Sequence, residues 1–216
     1  MRNIIGILKR HKRKQREAIR NRRRYGLEPG AWLREWDLSS LELTGTKLDA
    51  ANLMESRLDR CFLEGVSLER ALLQCASLRG VKLKRSNFTG ANLYGANLSD
   101  SVLDLSSFHQ ATLVASNLSN TRGESTSFAQ ANLWKANLSN AYLLRPHFTD
   151  ADLSQANLSG AHLSWPDLTN ANLSQANLSD ARIDGITGVP ASLPTGYKLE
   201  ADDKKHTKDL YRIVRA

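Results

Sequence analysis

The chain has 216 residues, a formal net charge of +8 and only 6% aromatic residues. This composition suits a thin core filled by aliphatic side chains rather than a thick globular core. Two cysteines do not predict a disulfide framework, and the short apolar run at residues 4–8 lacks the layout of a signal peptide. We therefore expect no membrane span and an unsecreted, cytoplasmic protein.

The basic charge is concentrated at the N-terminus. Residues 1–24 contain eleven Lys and Arg against Glu17, a net charge of +10, so the remaining 192 residues sum to −2. Residues 3–25 show helical periodicity, with Asn3 able to cap the start and Gly26 able to end the helix. We predict a basic amphipathic α-helix whose cationic side chains lie opposite its apolar residues. These cations include Lys12, Arg13, Arg16, Arg20 and Arg23.

A five-residue period governs the chain from Leu38 to Ile183. Thirty positions follow one another at intervals of five, of which 24 are Leu, four are Phe, one is Ile and one is Gly123. A small residue, most often Ala, lies two positions before most of them, with Trp36 and Leu41 among the exceptions. The period matches neither a helix nor a flat strand, and a short repeat in constant phase predicts a solenoid. The Leu and the small residue then point inward, and the other residues form a corner.

A longer period of twenty residues indicates four segments per turn. Thirty segments then give roughly 7.5 turns, a rod roughly 36 Å long at a strand spacing of ~4.8 Å. The four Phe residues recur at this period and predict a stack in the core, namely Phe88, Phe108, Phe128 and Phe148. Five Asn residues recur in the same way and predict an outer ladder, namely Asn97, Asn117, Asn137, Asn157 and Asn177.

Fragments such as Ala91-Asn92-Leu93 resemble the pentapeptide-repeat family, whose consensus is Ala, then Asp or Asn, then Leu, then two variable residues. The match covers about residues 31–185. The resemblance implies an all-β solenoid, a right-handed quadrilateral β-helix. We therefore divide the chain into a basic N-terminal helix and cap (1–30), the β-helix (31–185), and a C-terminal capping segment with a polar tail (186–216).

Gly123 occupies a position where the repeat requires Leu. The five-residue count is unbroken around it, so no residue is inserted. A missing Leu leaves a cavity or lets the backbone bulge. We expect a local packing defect here and no bound ligand.

Outward apolar residues predict a contact surface. In the twenty-residue register, Tyr94, Val114 and Trp134 fall in one column, each directly after a buried Leu, where Ser and Thr are usual. Met54 and Gln74 belong to the same column. A second group contains Phe62, Val102, Leu105, Tyr142, Leu144 and Trp165. A stacked stripe of this kind indicates either an interaction patch, for which Tyr and Trp are common anchors, or incidental exposure, and single exposed apolar residues mean little.

Little in the sequence predicts catalysis. The five His residues lie in different segments or in the tails, and none shows a familiar metal-ligand spacing with neighbouring Asp residues. Ser recurs with the repeat, so no single Ser is marked as a nucleophile, and no Gly-rich phosphate loop is evident. We therefore predict no enzymatic activity, no cofactor and no small-molecule substrate.

Three functions are compatible with this pattern. The first is an interaction scaffold that presents flat faces to a protein partner or to a second copy. The second is a polyanion binder, in which residues 2–24 contact nucleic acid or an anionic membrane. The same helix can instead cap the open first coil, against Trp32, Leu33 and Trp36.

The third function follows from the resemblance alone. Some pentapeptide-repeat proteins look like duplex DNA and shield DNA gyrase from inhibitors. That role requires a strongly acidic rod. Residues 31–185 carry sixteen acidic and thirteen basic residues, a net charge of −3, so this chain is a poor DNA mimic and we rank the role below the other two.

Overall fold

The structure is a computed structural model that describes residues 27–201 and 211–216. Over this part the chain forms the stacked parallel coils that the five-residue period predicts, which confirms the β-helix solenoid. The predicted N-terminal helix lies outside the described residues. So do its basic residues Lys12, Arg13, Arg16, Arg20 and Arg23.

Each turn of the solenoid contains twenty residues. Parallel bridges join outward residues to those twenty positions later, from Trp32↔Asn52 in the first coil to Asn172↔Ser192 near the end. Every turn has four segments, so the solenoid has four sides, which we call faces A to D in chain order. Face A consists of residues 31–35 and of each segment twenty residues further on. Faces B, C and D begin at residues 36, 41 and 46 in the same way.

Backbone hydrogen bonds link each coil to the coils on both sides of it. On face A, the Asn92 N–H donates to the Ala71 carbonyl at 2.9 Å, and the Leu93 N–H donates to the Thr112 carbonyl at 2.7 Å. Alternate residues of an extended segment point to opposite sides. Ala91 and Leu93 are therefore buried while Asn92 lies at the surface. The same alternation buries the Leu and the small residue of each repeat.

The corner after each segment is a β-turn whose third residue has a positive φ. The Ala96 N–H donates to the Leu93 carbonyl at 3.0 Å, and Gly95 between them has a φ of 63°. Residues with side chains adopt the same conformation at other corners, such as Lys135 with a φ of 56°. A positive φ at this position is typical of a type II turn and costs an L-residue roughly 1–2 kcal/mol. The turn and the inter-coil hydrogen bonds offset that cost.

The Asn of the repeat stabilises the corner that follows it. Asn92 Oδ1 accepts the Tyr94 N–H at 3.1 Å, and Asn132 Oδ1 accepts the Trp134 N–H at 3.0 Å. An Asn or Asp side chain that accepts from the residue two positions later forms an Asx-turn, which satisfies a corner N–H locally. This bond is the physical reason for Asn or Asp before Leu in the repeat.

Four short strands on face C form a parallel sheet in the order β1-β2-β3-β4. They are β1 (Arg122–Glu124), β2 (Tyr142–Leu144), β3 (His162–Ser164) and β4 (Arg182–Asp184). Pro146 and Pro166 follow β2 and β3 at the position that elsewhere donates the turn hydrogen bond, and proline has no N–H. The backbone of face C is therefore more extended here than at the other corners.

A β-hairpin covers the C-terminal end of the solenoid. β5 (Tyr197–Ala201) pairs with β6 (Tyr211–Arg215) in antiparallel fashion, and Ile186 of the last coil bridges to Tyr211. Leu199 and Ile213 of the hairpin pack against the core. The end of a solenoid exposes backbone groups and apolar side chains, so the hairpin acts as a cap.

The core consists of columns of side chains, one for each face. On face D the column contains Phe88, Phe108, Phe128 and Phe148, each with an exposed fraction of 0%. Successive ring centroids lie 4.8, 5.2 and 5.2 Å apart, with interplanar angles of 15°, 10° and 8°. These distances are close to the coil spacing of ~4.8 Å, so the stacking follows from the register of the backbone.

Gly123 does not produce the bulge that the sequence suggests, and neighbouring side chains crowd the place of its missing Cβ. The strand register is continuous, with Gly123 paired to Leu143. A Cβ added at Gly123 would collide with the Thr126 hydroxyl and would lie 3.2 Å from Leu103 Cβ. Thr126 is fully buried in the inward slot of face D, between Ser106 and Pro146 of the neighbouring coils, and its hydroxyl donates to the Leu103 carbonyl at 2.9 Å. The larger neighbour therefore occupies space that the missing Leu would need.

Candidate interaction surfaces

The predicted stripe lies along one edge of face A. Tyr94 and Trp134 have exposed fractions of 52% and 37%, and Val114 between them is partly exposed. All three occupy the first corner position after a buried Leu, in three successive coils. Adjacent coils are ~4.8 Å apart, so the side chains form one continuous row. We call Tyr94, Val114 and Trp134 the apolar stripe.

The backbone holds the stripe rigidly, because the Asx-turns of Asn92 and Asn132 fix the corners that carry Tyr94 and Trp134. The Lys135 ammonium lies 4.2 Å from the centroid of the Trp134 ring, a cation–π contact. Small residues, Gly95 and Ala115, follow the first two members of the stripe. The row is therefore accessible along its length.

Face A carries two more exposed apolar side chains that lie outside the predicted stripe. Trp32 is 78% exposed and Leu72 is 37% exposed. Both lie one position before a buried Leu, in the outward position of the segment. The twenty-residue register places both residues on face A, so their positions in the repeat are enough to predict that they point outward there. The sequence instead predicts that Trp32 receives the N-terminal helix, which lies outside the described residues.

The second predicted group lies on face C and is mixed with charge. Phe62, Leu105, Tyr142 and Trp165 have exposed fractions of 43%, 47%, 52% and 38%. Lys82 Nζ lies 5.0 Å from the centroid of the Phe62 ring, and the Tyr142 and His162 rings meet edge to face at 5.0 Å. This surface therefore alternates cations with aromatic rings and is not a purely apolar patch.

The repeat matches one known family over more than half of the chain. The profile of the pentapeptide repeats matches in eight copies, at residues 51–90, 106–143, 124–160 and 147–185. This chain belongs to the pentapeptide-repeat family. No significant match was found among curated protein sequences.

This chain is similar to several solved structures, and its likeness to QnrB1 extends to the fold. QnrB1, a plasmid-mediated fluoroquinolone resistance protein, is 18% identical, with 68% of this chain and 86% of that chain covered and a TM-score of 0.50. HetL, involved in heterocyst differentiation regulation in the cyanobacterium Nostoc sp. strain PCC 7120, is 24% identical, with 82% and 98% covered and a TM-score of 0.39. Rfr23 from the cyanobacterium Cyanothece 51142 is 21% identical, with 77% and 90% covered and a TM-score of 0.27. At these identities the likeness concerns the fold alone.

The polar ladder of this pentapeptide-repeat protein is structural. Asn137 Nδ2 donates to Asn117 Oδ1 at 3.3 Å, and Asn157 Nδ2 donates to Asn137 Oδ1 at 3.2 Å. Asn137 Oδ1 also accepts the Ser139 N–H at 3.1 Å. Each side chain thus links neighbouring coils and closes its own corner, so little of its hydrogen-bonding capacity is left for a ligand.

The charged first half of the β-helix forms exposed ion pairs. Arg34 pairs with Glu55 at 2.7 Å, and Arg79 pairs with Asp100 at 2.9 Å. The side chains of both pairs are between 41% and 67% exposed. Solvent screens pairs of this kind, so each contributes little to stability.

The β-helix pairs His147 with Asp167 of the next coil but does not gather the histidines into one site. His109 and His147 lie on face D, and His162 lies on face C. Across residues 27–201 and 211–216, no group of three or more His, Cys, Asp or Glu could hold a metal ion. In the same residues there is no helix long and apolar enough to cross a membrane.

Two buried or partly buried groups have shifted pKa values of structural origin. Burial raises the pKa of the Cys61 thiol to about 11, despite opposing hydrogen bonds from the backbone. Burial would also raise the pKa of Asp167, but hydrogen bonds from Thr169 and Thr149 outweigh it and hold that pKa below its ordinary value. Both shifts follow from packing and local hydrogen bonding, so neither indicates catalysis.

Proposed function

We propose that this protein is a non-enzymatic scaffold whose β-helix presents face A to a protein partner or to a second copy. The observation that carries the proposal is the apolar stripe, in which the exposed Tyr94 and Trp134 and the partly exposed Val114 point outward in successive coils. Fold stability does not account for these side chains, because the inward positions of the same segments already fill the core.

The composition of face A supports this function. Tyr and Trp are enriched among the residues that anchor protein interfaces. Trp32 and Leu72 add apolar area on the same face. The charges on face A are few, namely Arg34, Glu35, Glu55, Lys135 and Asp152, and Arg34 pairs with both glutamates. A flat face with an apolar row and a polar margin resembles the core and rim of an interface.

Sedimentation tests the proposal directly. Trp134→Ser should weaken self-association, or capture of a purified partner, by about 2 kcal/mol or more, the scale of an anchor residue. Thermal stability should change by about 0.5 kcal/mol or less, because the change is at the surface. A variant that loses stability while it associates normally would show that Trp134 belongs to the core.

A second candidate function rests on the basic segment. Eleven cations and one carboxylate in residues 1–24 favour binding to a polyanion, either nucleic acid or an anionic membrane. The two functions are compatible, because they use different parts of the chain. The role of DNA mimic stays less favoured, since the net charge of residues 31–185 is only −3.

A further inference from the structure

A pocket of about 470 Å³ lies on face C, away from the apolar stripe. Its walls are Asn120, Arg122, Asn140, Tyr142, Gly160 and His162. The side chains of Arg122, Tyr142 and His162 come from β1, β2 and β3, which hold them in register in three successive coils. The volume falls in the range of about 300–1,000 Å³ that small-molecule sites occupy.

Gly160 keeps the pocket open. Its φ is 64°, and Asn140 Oδ1 lies only 2.5 Å from the position of a Cβ added at Gly160. A side chain here would collide with Asn140, and it would take up space in a pocket that Gly160 lines. The coils on either side carry Asn140 and Asp180 at this corner, so Gly160 leaves a gap between two polar side chains of the corner column.

The lining is rich in hydrogen-bond donors and contains no carboxylate. Within the described part of the chain, the Arg122 guanidinium has no ion-pair partner. Asp100, which contacts Asn120, already accepts from Arg79 at 2.9 Å and from Asn120 at 3.3 Å. An unpaired guanidinium in a fixed fork suits a phosphate or carboxylate oxygen pair.

Two aromatic rings form the other wall. Tyr142 and His162 are 5.0 Å apart with an interplanar angle of 78°. In an edge-to-face pair, one ring points its edge at the other ring. The partner therefore covers neither face of the ring that contributes its edge. Tyr142 is also 52% exposed, so a planar ring of a ligand can reach it while the anionic group of the ligand reaches Arg122. Stacking on aromatic side chains is a common mode of binding nucleic-acid bases.

From these contacts we propose that the face C pocket binds a phosphate ester of nucleotide size. The phosphate contacts Arg122, the base stacks against the Tyr142–His162 pair, and the Asn120 and Asn140 amides lie within the same pocket for the sugar or the base edge. The ligand is either a free nucleotide or one nucleotide of a single strand. This inference does not depend on the apolar stripe.

Calorimetric titration of the full chain with AMP, adenosine, inorganic phosphate and a short single-stranded oligonucleotide tests the proposal. Arg122→Gln should lower the affinity for AMP or for the oligonucleotide by about tenfold or more, since it removes a charge-assisted contact. Adenosine should bind more weakly than AMP. Binding of AMP identifies a free nucleotide as the ligand, and binding of the oligonucleotide alone identifies a nucleotide within a strand.

Arg182→Gln is the matched control. Arg182 lies in the same outward column of face C, next to His162, but outside the pocket lining. Residues 1–24 can also attract anions, and the two variants leave that segment unchanged. Equal losses in Arg122→Gln and Arg182→Gln, or the absence of binding to every phosphate ester, would overturn the proposal.

Tyr94→Ser should leave nucleotide affinity within about twofold of the parent value, which separates this site from the apolar stripe.

Discussion

The Thr126 hydroxyl lies so close to Gly123 that it would collide with the Cβ of any side chain at that position. The two residues are three positions apart and belong to adjacent faces of the same coil. Gly123 stands where the repeat has Leu, and Thr126 is a larger residue than Ser106, which fills the same slot in the preceding coil. The core therefore remains filled although an individual repeat departs from the consensus.

This relationship predicts that the two positions are coupled. Gly123→Leu should destabilise the protein by about 1–3 kcal/mol, because it overpacks a filled core. In a Thr126→Ala background the same substitution should cost less, and the coupling energy should be about 1 kcal/mol or more. Urea denaturation of the two single variants and the double variant measures the cycle. Additive effects would show that Thr126 does not fill the space at Gly123.

The Phe stack should contribute strongly to stability. Phe128→Ala should cost about 3–5 kcal/mol, because it opens a cavity between Phe108 and Phe148. Ser119→Ala is the control, since this side chain lies at the surface and should change stability by about 0.5 kcal/mol or less. Equal costs in denaturant titration would contradict the assignment of inward and outward positions.

The fold could be predicted from the sequence because a solenoid repeats the same pattern of inward and outward residues every five positions. Small inward residues at 31, 51 and 71 and large ones at 33, 53 and 73 are enough to define the coil. The close packing of Thr126 against Gly123 could not be predicted. The repeat indicates which residues point inward, but not how two inward residues such as Gly123 and Thr126 fit together. The face C pocket is not evident from the sequence either. The register aligns Arg122 with Tyr142 and His162, but the depth of the pocket depends on how Asn140 lies over Gly160.

The two cysteines should differ sharply in reactivity. Cys75 is exposed, whereas Cys61 is buried and donates to the Leu38 carbonyl at 2.9 Å. The thiolate is the reactive form, and burial holds the Cys61 pKa at about 11. The Cys75 thiol should therefore react rapidly with a disulfide reagent in the native protein, and Cys75→Ser should abolish this rapid reaction. Two rapid thiols in the native state would contradict the burial of Cys61.

The same pKa predicts a loss of stability in alkali. The folded-state pKa of Cys61 is raised above its ordinary value of 9.0, to about 11. As the pH rises, the unfolded chain therefore loses the Cys61 proton before the folded chain does. The buried thiol contributes fully to the free energy of unfolding below pH 9.0, and this contribution declines as the pH rises towards about 11. Cys61→Ala should flatten the decline in denaturation curves measured across this range.

The basic segment should bind polyanions in a salt-dependent manner. Replacing Lys12, Arg13, Arg16 and Arg20 with Gln should weaken binding to duplex DNA or anionic vesicles and reduce its salt dependence, because fewer counterions are released. The β-helix should remain folded, as circular dichroism can verify. Parallel titrations with DNA and vesicles identify the preferred polyanion. Unchanged binding would leave only the capping role for this segment.

Tyr94 and Tyr142 offer a matched test of face A against face C, because both are 52% exposed and both are outward residues of the β-helix. Tyr94→Ser should weaken self-association or partner capture by about 2 kcal/mol, since it removes one end of a row of anchors. Tyr142→Ser should leave association unchanged and instead reduce nucleotide binding. Each variant should keep its stability within about 0.5 kcal/mol of the parent. Sedimentation over a concentration series and nucleotide titration of the same two samples give four independent results. If both variants weaken association equally, the contact surface is not confined to the apolar stripe, and face A alone does not define the interface.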